Sequence, residues 1–230
     1  MSIAEKLNTI ADNTPKVYEA GYKDGASSVV DIASLCEYIT FANLNVFSKP
    51  EVTLNLLNIT SMQDMFMVQN NDEPNKTVEK ITINCSKPIT SCSRMFYAQS
   101  TVADKTLKQV TLNADTSKTT TFVQMFINST ALEIIDGSPL DFSSATTVNG
   151  MFSYCGMLKE VRFAKGTLKQ SIIFVNSNLL TDETIQSIID GLADLTGGTA
   201  QTLTLHATVG GKLTDEQKAS ITAKNWTLVY

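Results

Sequence analysis

The chain has 230 residues, a formal net charge of −5, and 43% hydrophobic against 18% charged residues. That balance describes a folded protein with a sizeable core, not a disordered chain. The acidic balance and the lack of a basic cluster speak against nucleic acid or an anionic membrane surface as partners, and no apolar run reaches the length of a membrane span.

Residues 2–25 read as a separate helical piece. Ser2 and Glu5 match a capping box, and Ile3, Leu7 and Ile10 share one helical face. Thr14-Pro15 restarts the helix, Gly21 stops it, and a linker carries the chain into the body by residue 28. An amphipathic helix ahead of a linker either folds back on the body or packs with other copies or an anchor protein. No secretory signal is expected, because an acid follows early and no apolar core comes after it. Residues 29–60 are expected to begin a stack: Ile39, Phe41, Leu44 and Val46 suggest extended chain, Lys49-Pro50 breaks it, and Val52 to Leu56 starts the first repeat strand.

A dipeptide then recurs. Met65-Phe66, Met95-Phe96, Met125-Phe126 and Met151-Phe152 lie 30, 30 and 26 residues apart. In step with it, 78–84, 107–113 and 158–163 share one pattern, apolar followed by two polar residues and then apolar-polar-apolar; 132–135 keeps only its start. A period in this range is the mark of stacked units, each too small to bury its apolar side alone. Strand alternation turns Val110 and Leu112 inward and Thr111 outward, and the Met-Phe pairs are expected to stack as an internal ladder. The longer loops, 68–77 and 98–106, are where such units vary and where binding often collects.

Beyond the repeats, Ile173-Phe174 stands where another Met-Phe belongs. Thr181 caps a helix with Ile185, Ile188, Ile189, Leu192 and Leu195 on one face, and Gly197-Gly198 is expected to end it. Gln201 to Ala207 reads as a strand with Leu203 and Leu205 inward, and Gly210-Gly211 turns. Thr214 and Gln217 form a second capping box, that helix ends near Lys224, and Trp226 to Tyr230 is a last, packed strand. Residues 181–230 thus close the stack as a terminal cap.

Chemistry is sparse. Cys36, Cys85, Cys92 and Cys155 have no paired spacing and read as buried, reduced thiols, so neither disulfide nor zinc is expected. His206 is the single histidine; a surface position suits it, and nothing nearby builds a triad. Asp182-Glu183 and Asp215-Glu216 fall in first helical turns, where acids favour the dipole, so they read as capping charges and not glycosidase carboxylates. Asp72-Glu73 is a solvated loop, and Gly197-Gly198 lacks the lysine of a phosphate loop. No catalytic, cofactor-binding or metal-binding residue is assigned, and no binding residue can be singled out.

With their Leu-x-x-Val-x-Leu strands, the Met-Phe repeats resemble the BspA-type leucine-rich repeat family. The segments Leu180-Thr181-Asp182-Glu183, Gly197 to Leu205, Leu213 to Gln217 and Lys224-Asn225-Trp226 are similar to the end cap of such proteins from Gram-positive bacteria and their phages. Ile10 to Gly21 resembles the opening of phage tail or fibre-associated proteins. The resemblance covers residues 10–21 and about 52–230. It implies an α/β, leucine-rich-repeat (BspA-like) β-solenoid with short N-terminal helices and a β-α-β-like C-terminal cap, divided as 1–28, 29–180 and 181–230. It further implies a non-enzymatic, virion-associated protein, made in the bacterial cytoplasm and released by lysis, that attaches to a host-surface glycan or protein. Other virion proteins, or further copies in a trimer, would meet its N-terminal helix. The alternatives are a bacterial cell-surface adhesion module and a purely structural decoration protein.

Overall fold

The computed structural model describes residues 28–32, 50–68, 77–99 and 106–230, the first five by backbone alone. The expected N-terminal helix, the Ile39–Val46 segment, Cys36 and the centres of both long loops lie outside the described residues.

Each repeat contributes a short strand: β1 Ser28–Ile32, β2 Glu51–Leu56, β3 Lys80–Cys85, β4 Gln109–Asn113, β5 Ile134–Leu140 and β6 Glu160–Phe163. They form one parallel sheet in chain order. The register follows the repeat: Val52 meets Ile81, Ile81 meets Val110, and Val110 meets Ile135. Those inward residues are buried, as are Leu54, Ile83 and Leu112.

Opposite this sheet the chain makes turns rather than strands. Single parallel bridges join Ser61 to Ser91, Ser91 to Thr121 and Thr121 to Thr147. Between them run backbone bonds such as Phe66 N–H to Met95 O at 2.8 Å and Phe96 N–H to Met125 O at 2.7 Å. The Met-Phe pairs are buried as expected. Their rings stack in a column, with centroids 4.8 Å apart for Phe66–Phe96, 5.5 Å for Phe96–Phe126 and 5.9 Å for Phe126–Phe152. Phe174 extends the column, 4.8 Å from Phe152. Holding each turn requires a left-handed residue just before the Met: Asp64 (φ 57°), Arg94 (φ 51°), Gln124 (φ 54°) and Gly150 (φ 66°). Arg94 also reaches back one repeat, its Nε and Nη2 2.7 and 2.9 Å from the two Asp64 carboxylate oxygens.

After β6 the chain changes partner. β7 Ile172–Phe174 does not join the large sheet; it pairs with β8 Gln201–Leu205, which pairs with β9 Trp226–Val229, in a second, three-stranded parallel sheet. The β6 edge is taken by the helix α1 Asp182–Gly191: Thr184 Oγ1 accepts from Val161 N–H at 3.3 Å, and Ser187 Oγ accepts from Phe163 N–H at 2.9 Å. A short α2 Ala207–Gly210 and α3 Asp215–Ala223 lie between β8 and β9. The expected leucine-rich-repeat, BspA-like β-solenoid is therefore corrected. The described residues form a parallel sheet, a second small sheet and a few helices, an α/β arrangement. The physical reason is that a solenoid needs every unit to add the same strand to the same sheet, whereas here helix hydroxyls occupy the edge that the next strand would have used.

Three boundaries also differ from expectation, the first being that the strand expected from Gln201 to Ala207 stops at Leu205, with Ala207 already in α2. α1 ends at Gly191, not at Gly197-Gly198, because Leu192 turns extended to bridge Leu168; Gly191 itself packs so closely on Phe163 that a Cβ would stand 2.7 Å from Phe163 Cβ. Gly210-Gly211 closes α2 instead of forming a plain turn. The Thr214–Gln217 capping box forms, and Lys224 caps α3. Tyr230 is about half exposed, while Trp226 is buried with its indole N–H donating to Ala193 O at 2.9 Å.

Candidate binding face

Alternation gives the large sheet an outward face of its own. Register aligns Thr53, Thr82, Thr111 and Asp136 in one row and Asn55, Asn84 and Asn113 in the next. The asparagines bond along their row, Asn84 Nδ2 to Asn55 Oδ1 and Asn113 Nδ2 to Asn84 Oδ1, both at 2.8 Å. The threonine row behaves differently. The half-buried hydroxyls of Thr53, Thr82 and Thr111 have no hydrogen-bond partner among the described residues. Threonines elsewhere do bond between repeats: Thr90 donates to Thr60 O at 2.9 Å and Thr146 to Thr120 O at 3.0 Å. Ion pairs at the strand starts, Lys108–Glu79 at 2.8 Å and Lys159–Glu133 at 2.6 Å, edge the face. The hydrogen bond from Lys108 to Glu79 raises the lysine pKa; both side chains are exposed, so the pair adds little stability.

The face ends in a corner. Gly137 has φ +93°, and a Cβ there would lie 2.6 Å from Leu112 O, so only glycine fits. From that point β5 shifts register against β6. Between this corner, β6 and the start of α1 opens a cleft of about 400 Å³ lined by Asp136, Pro139, Glu160, Arg162, Glu183 and Ser187 among others. Asp136 Oδ2 accepts from Gln109 Nε2 at 2.8 Å, whereas its buried Oδ1 has no partner. Arg162 is exposed and makes no ion pair among the described residues.

The residues weighed for catalysis fall elsewhere. His206 precedes α2, and its Nδ1 accepts from Thr208 N–H at 3.1 Å. Asp182-Glu183 and Asp215-Glu216 occupy the first turns of α1 and α3, and only Glu183 reaches the cleft. Burial pushes the thiols of Cys85, Cys92 and Cys155 up to about 12, and all three are free. Among the described residues, no group of three or more His, Cys, Asp or Glu side chains could hold a metal ion, and no helix is long and apolar enough to cross a membrane. Sequence reading missed the Asp136–Arg162 cleft; the signal was Gly137-Ser138-Pro139 interrupting a strand pattern. Comparison with protein-family models, curated proteins and solved structures finds no match, so nothing there identifies a BspA-type repeat protein.

Proposed function

We propose that this protein is a non-enzymatic attachment component of a phage particle that engages a host-surface glycan or protein through the outward face of its large sheet. The observation that carries this reading is the aligned polar face, whose Thr53, Thr82 and Thr111 hydroxyls have no hydrogen-bond partner among the described residues. Rigid strands hold such groups at a fixed spacing of about 4.8 Å, which suits recognition by many small, oriented hydrogen bonds. The phage setting is supported by the resemblance of residues 10–21 to tail and fibre-associated proteins. In this reading residues 1–28 join the body to other virion proteins or to further copies.

The test is retention of the labelled, purified chain on intact bacteria. Replacing Asn84 and Thr111 by Arg places bulk and charge on the face without touching the core. Retention should then drop roughly tenfold or more, the loss of one or two central contacts. Equal retention of both proteins, each shown folded by circular dichroism, would remove the face from the proposal. Light scattering on the full chain and on one starting at Ser28 tests the attachment segment: a trimer that becomes a monomer supports it, and equal masses oppose self-assembly through residues 1–27.

A further inference from the structure

We infer that the cleft between the β5 corner and α1, together with the threonine row that leads into it, binds an uncharged glycan laid across the strands. The inference rests on the attachment reading above and names the chemistry of its ligand. Two independent observations converge. The first is the cleft: its volume of about 400 Å³ lies within the range of small-molecule sites, about 300–1,000 Å³. In its wall, among the described residues, the buried Asp136 Oδ1 has no hydrogen-bond partner and the exposed Arg162 guanidinium pairs with no carboxylate, so a turn of the Asp136 carboxyl would bring an acceptor beside free donors. Ser187 Oγ accepts from Phe163 N–H, so its own hydrogen remains to be donated. The second is the row. Thr53, Thr82 and Thr111 are in register with Asp136, and their hydroxyls each offer a donor and an acceptor.

A sugar hydroxyl is both donor and acceptor, and vicinal hydroxyls on a ring match a carboxylate or a guanidinium. The threonine methyls and the Pro139 ring supply apolar contact for the C–H faces. Charge excludes the nearest competitor, an anionic polymer. Asp136, Glu160 and Glu183 outnumber Arg162 around the cleft, and the chain carries −5 overall. A protein partner fits less well, because interfaces are anchored by buried aromatic or large apolar side chains. The exposed ones among the described residues, such as Tyr154, Ile173 and Val229, line neither the cleft nor the row.

The experiment uses the full chain on an array of purified uncharged oligosaccharides with teichoic acid as the anionic comparator. The variants are the Thr82→Val, Thr111→Val double change and Asp136→Asn, each checked by circular dichroism. Thr→Val keeps shape and strand preference and removes only the hydroxyl. Expected is binding to at least one uncharged oligosaccharide, weakened about tenfold or more by the double threonine variant, the equivalent of two neutral hydrogen bonds, and weakened less by Asp136→Asn, which exchanges one acceptor for a donor. Binding to teichoic acid alone would overturn the uncharged ligand. Glycan binding that ignores both variants would overturn the placement. Cell retention that survives periodate oxidation of the cells but not protease, with no glycan bound, would overturn the glycan and leave the attachment reading standing. No retention on cells at all would overturn both.

Discussion

Four turns use a left-handed residue immediately before the Met, and only the fourth uses glycine, Gly150. Asp64, Arg94 and Gln124 hold that conformation against the steric cost of a Cβ, about 1–2 kcal/mol for an L-residue. The repeat bonds over-determine it: Gln124 N–H donates to Asn149 O at 2.9 Å while Arg94 N–H donates to Val123 O at 2.8 Å. Gln124→Gly should therefore raise stability by roughly 0.5–1 kcal/mol, read as a higher urea midpoint at unchanged slope. A lower midpoint would mean that the Gln124 side chain contributes more than its backbone costs. The thiols make a second prediction at this scale. Cys92 and Cys155 are fully buried, and burial raises both to about 12. Below about pH 8 both folded and unfolded chains keep these protons, so the thiols add no pH dependence. Above about 8.5 the unfolded chain releases protons that the folded chain holds, and stability falls by up to about 1.4 kcal/mol per pH unit for each thiol. Urea titrations from pH 8 to 10.5 should show that decline, and Cys155→Val should make it shallower by one thiol's share, since Cys85 and Cys92 remain.

At the level of elements, the decisive contact is α1 on the β6 edge. An open strand edge presents unpaired N–H groups that recruit other strands. Here Thr184 and Ser187 accept from Val161 and Phe163, and both donors are buried. Ser187→Ala would strand the Phe163 N–H, at a cost of about 1–3 kcal/mol, well above the propensity change in a helix. Calorimetry should show the lower transition. An unchanged Tm would mean that α1 caps the sheet by packing alone. The same edge explains why the cleft exists: a helix does not follow the strand pleat, so β5, free to bend at Gly137, leaves space between Asp136 and the start of α1.

Across the whole molecule one core serves both sheets. Phe66, Phe96, Phe126, Phe152 and Phe174 run as a continuous column from the first described turn to β7. Leu203, Leu205 and Trp226 of the small sheet belong to the same buried cluster. Phe126 stacks on both sides and is fully buried, so Phe126→Ala should cost about 3–5 kcal/mol. Because the core is shared, unfolding should be a single transition. Trp226, the one tryptophan, reports on the small sheet, and its fluorescence should change at the same denaturant concentration as the far-ultraviolet dichroism. Two separated transitions would show that the small sheet unfolds by itself.

How far the chain could be read in advance follows from the range of the forces involved. Local chemistry was legible in the sequence. Alternation in Val110-Thr111-Leu112 set which side chains face inward, the Met-Phe spacing set which rings could stack, and Thr214 with Gln217 set a helix start. Each depends on residues within a few positions or on a repeat that is visible by inspection. The end of the large sheet was not legible. It depends on whether Val161 and Phe163 bond to β7 or to Thr184 and Ser187, a competition between segments about 10–25 residues apart with equally suitable acceptors. Nor was the stop at Gly191, where Leu192 leaves the helix to bridge Leu168, more than twenty residues back. Asp136 and Arg162 meet at a cleft only because the β5 corner and α1 converge there. Local propensity and alternation set the strand faces of the repeats, the ladder and the starts at Thr181 and Thr214, since they act over a few residues. Tertiary structure alone decided where the sheet stops and what gathers at its edge, since a strand's partner is chosen by whichever distant groups reach its N–H donors.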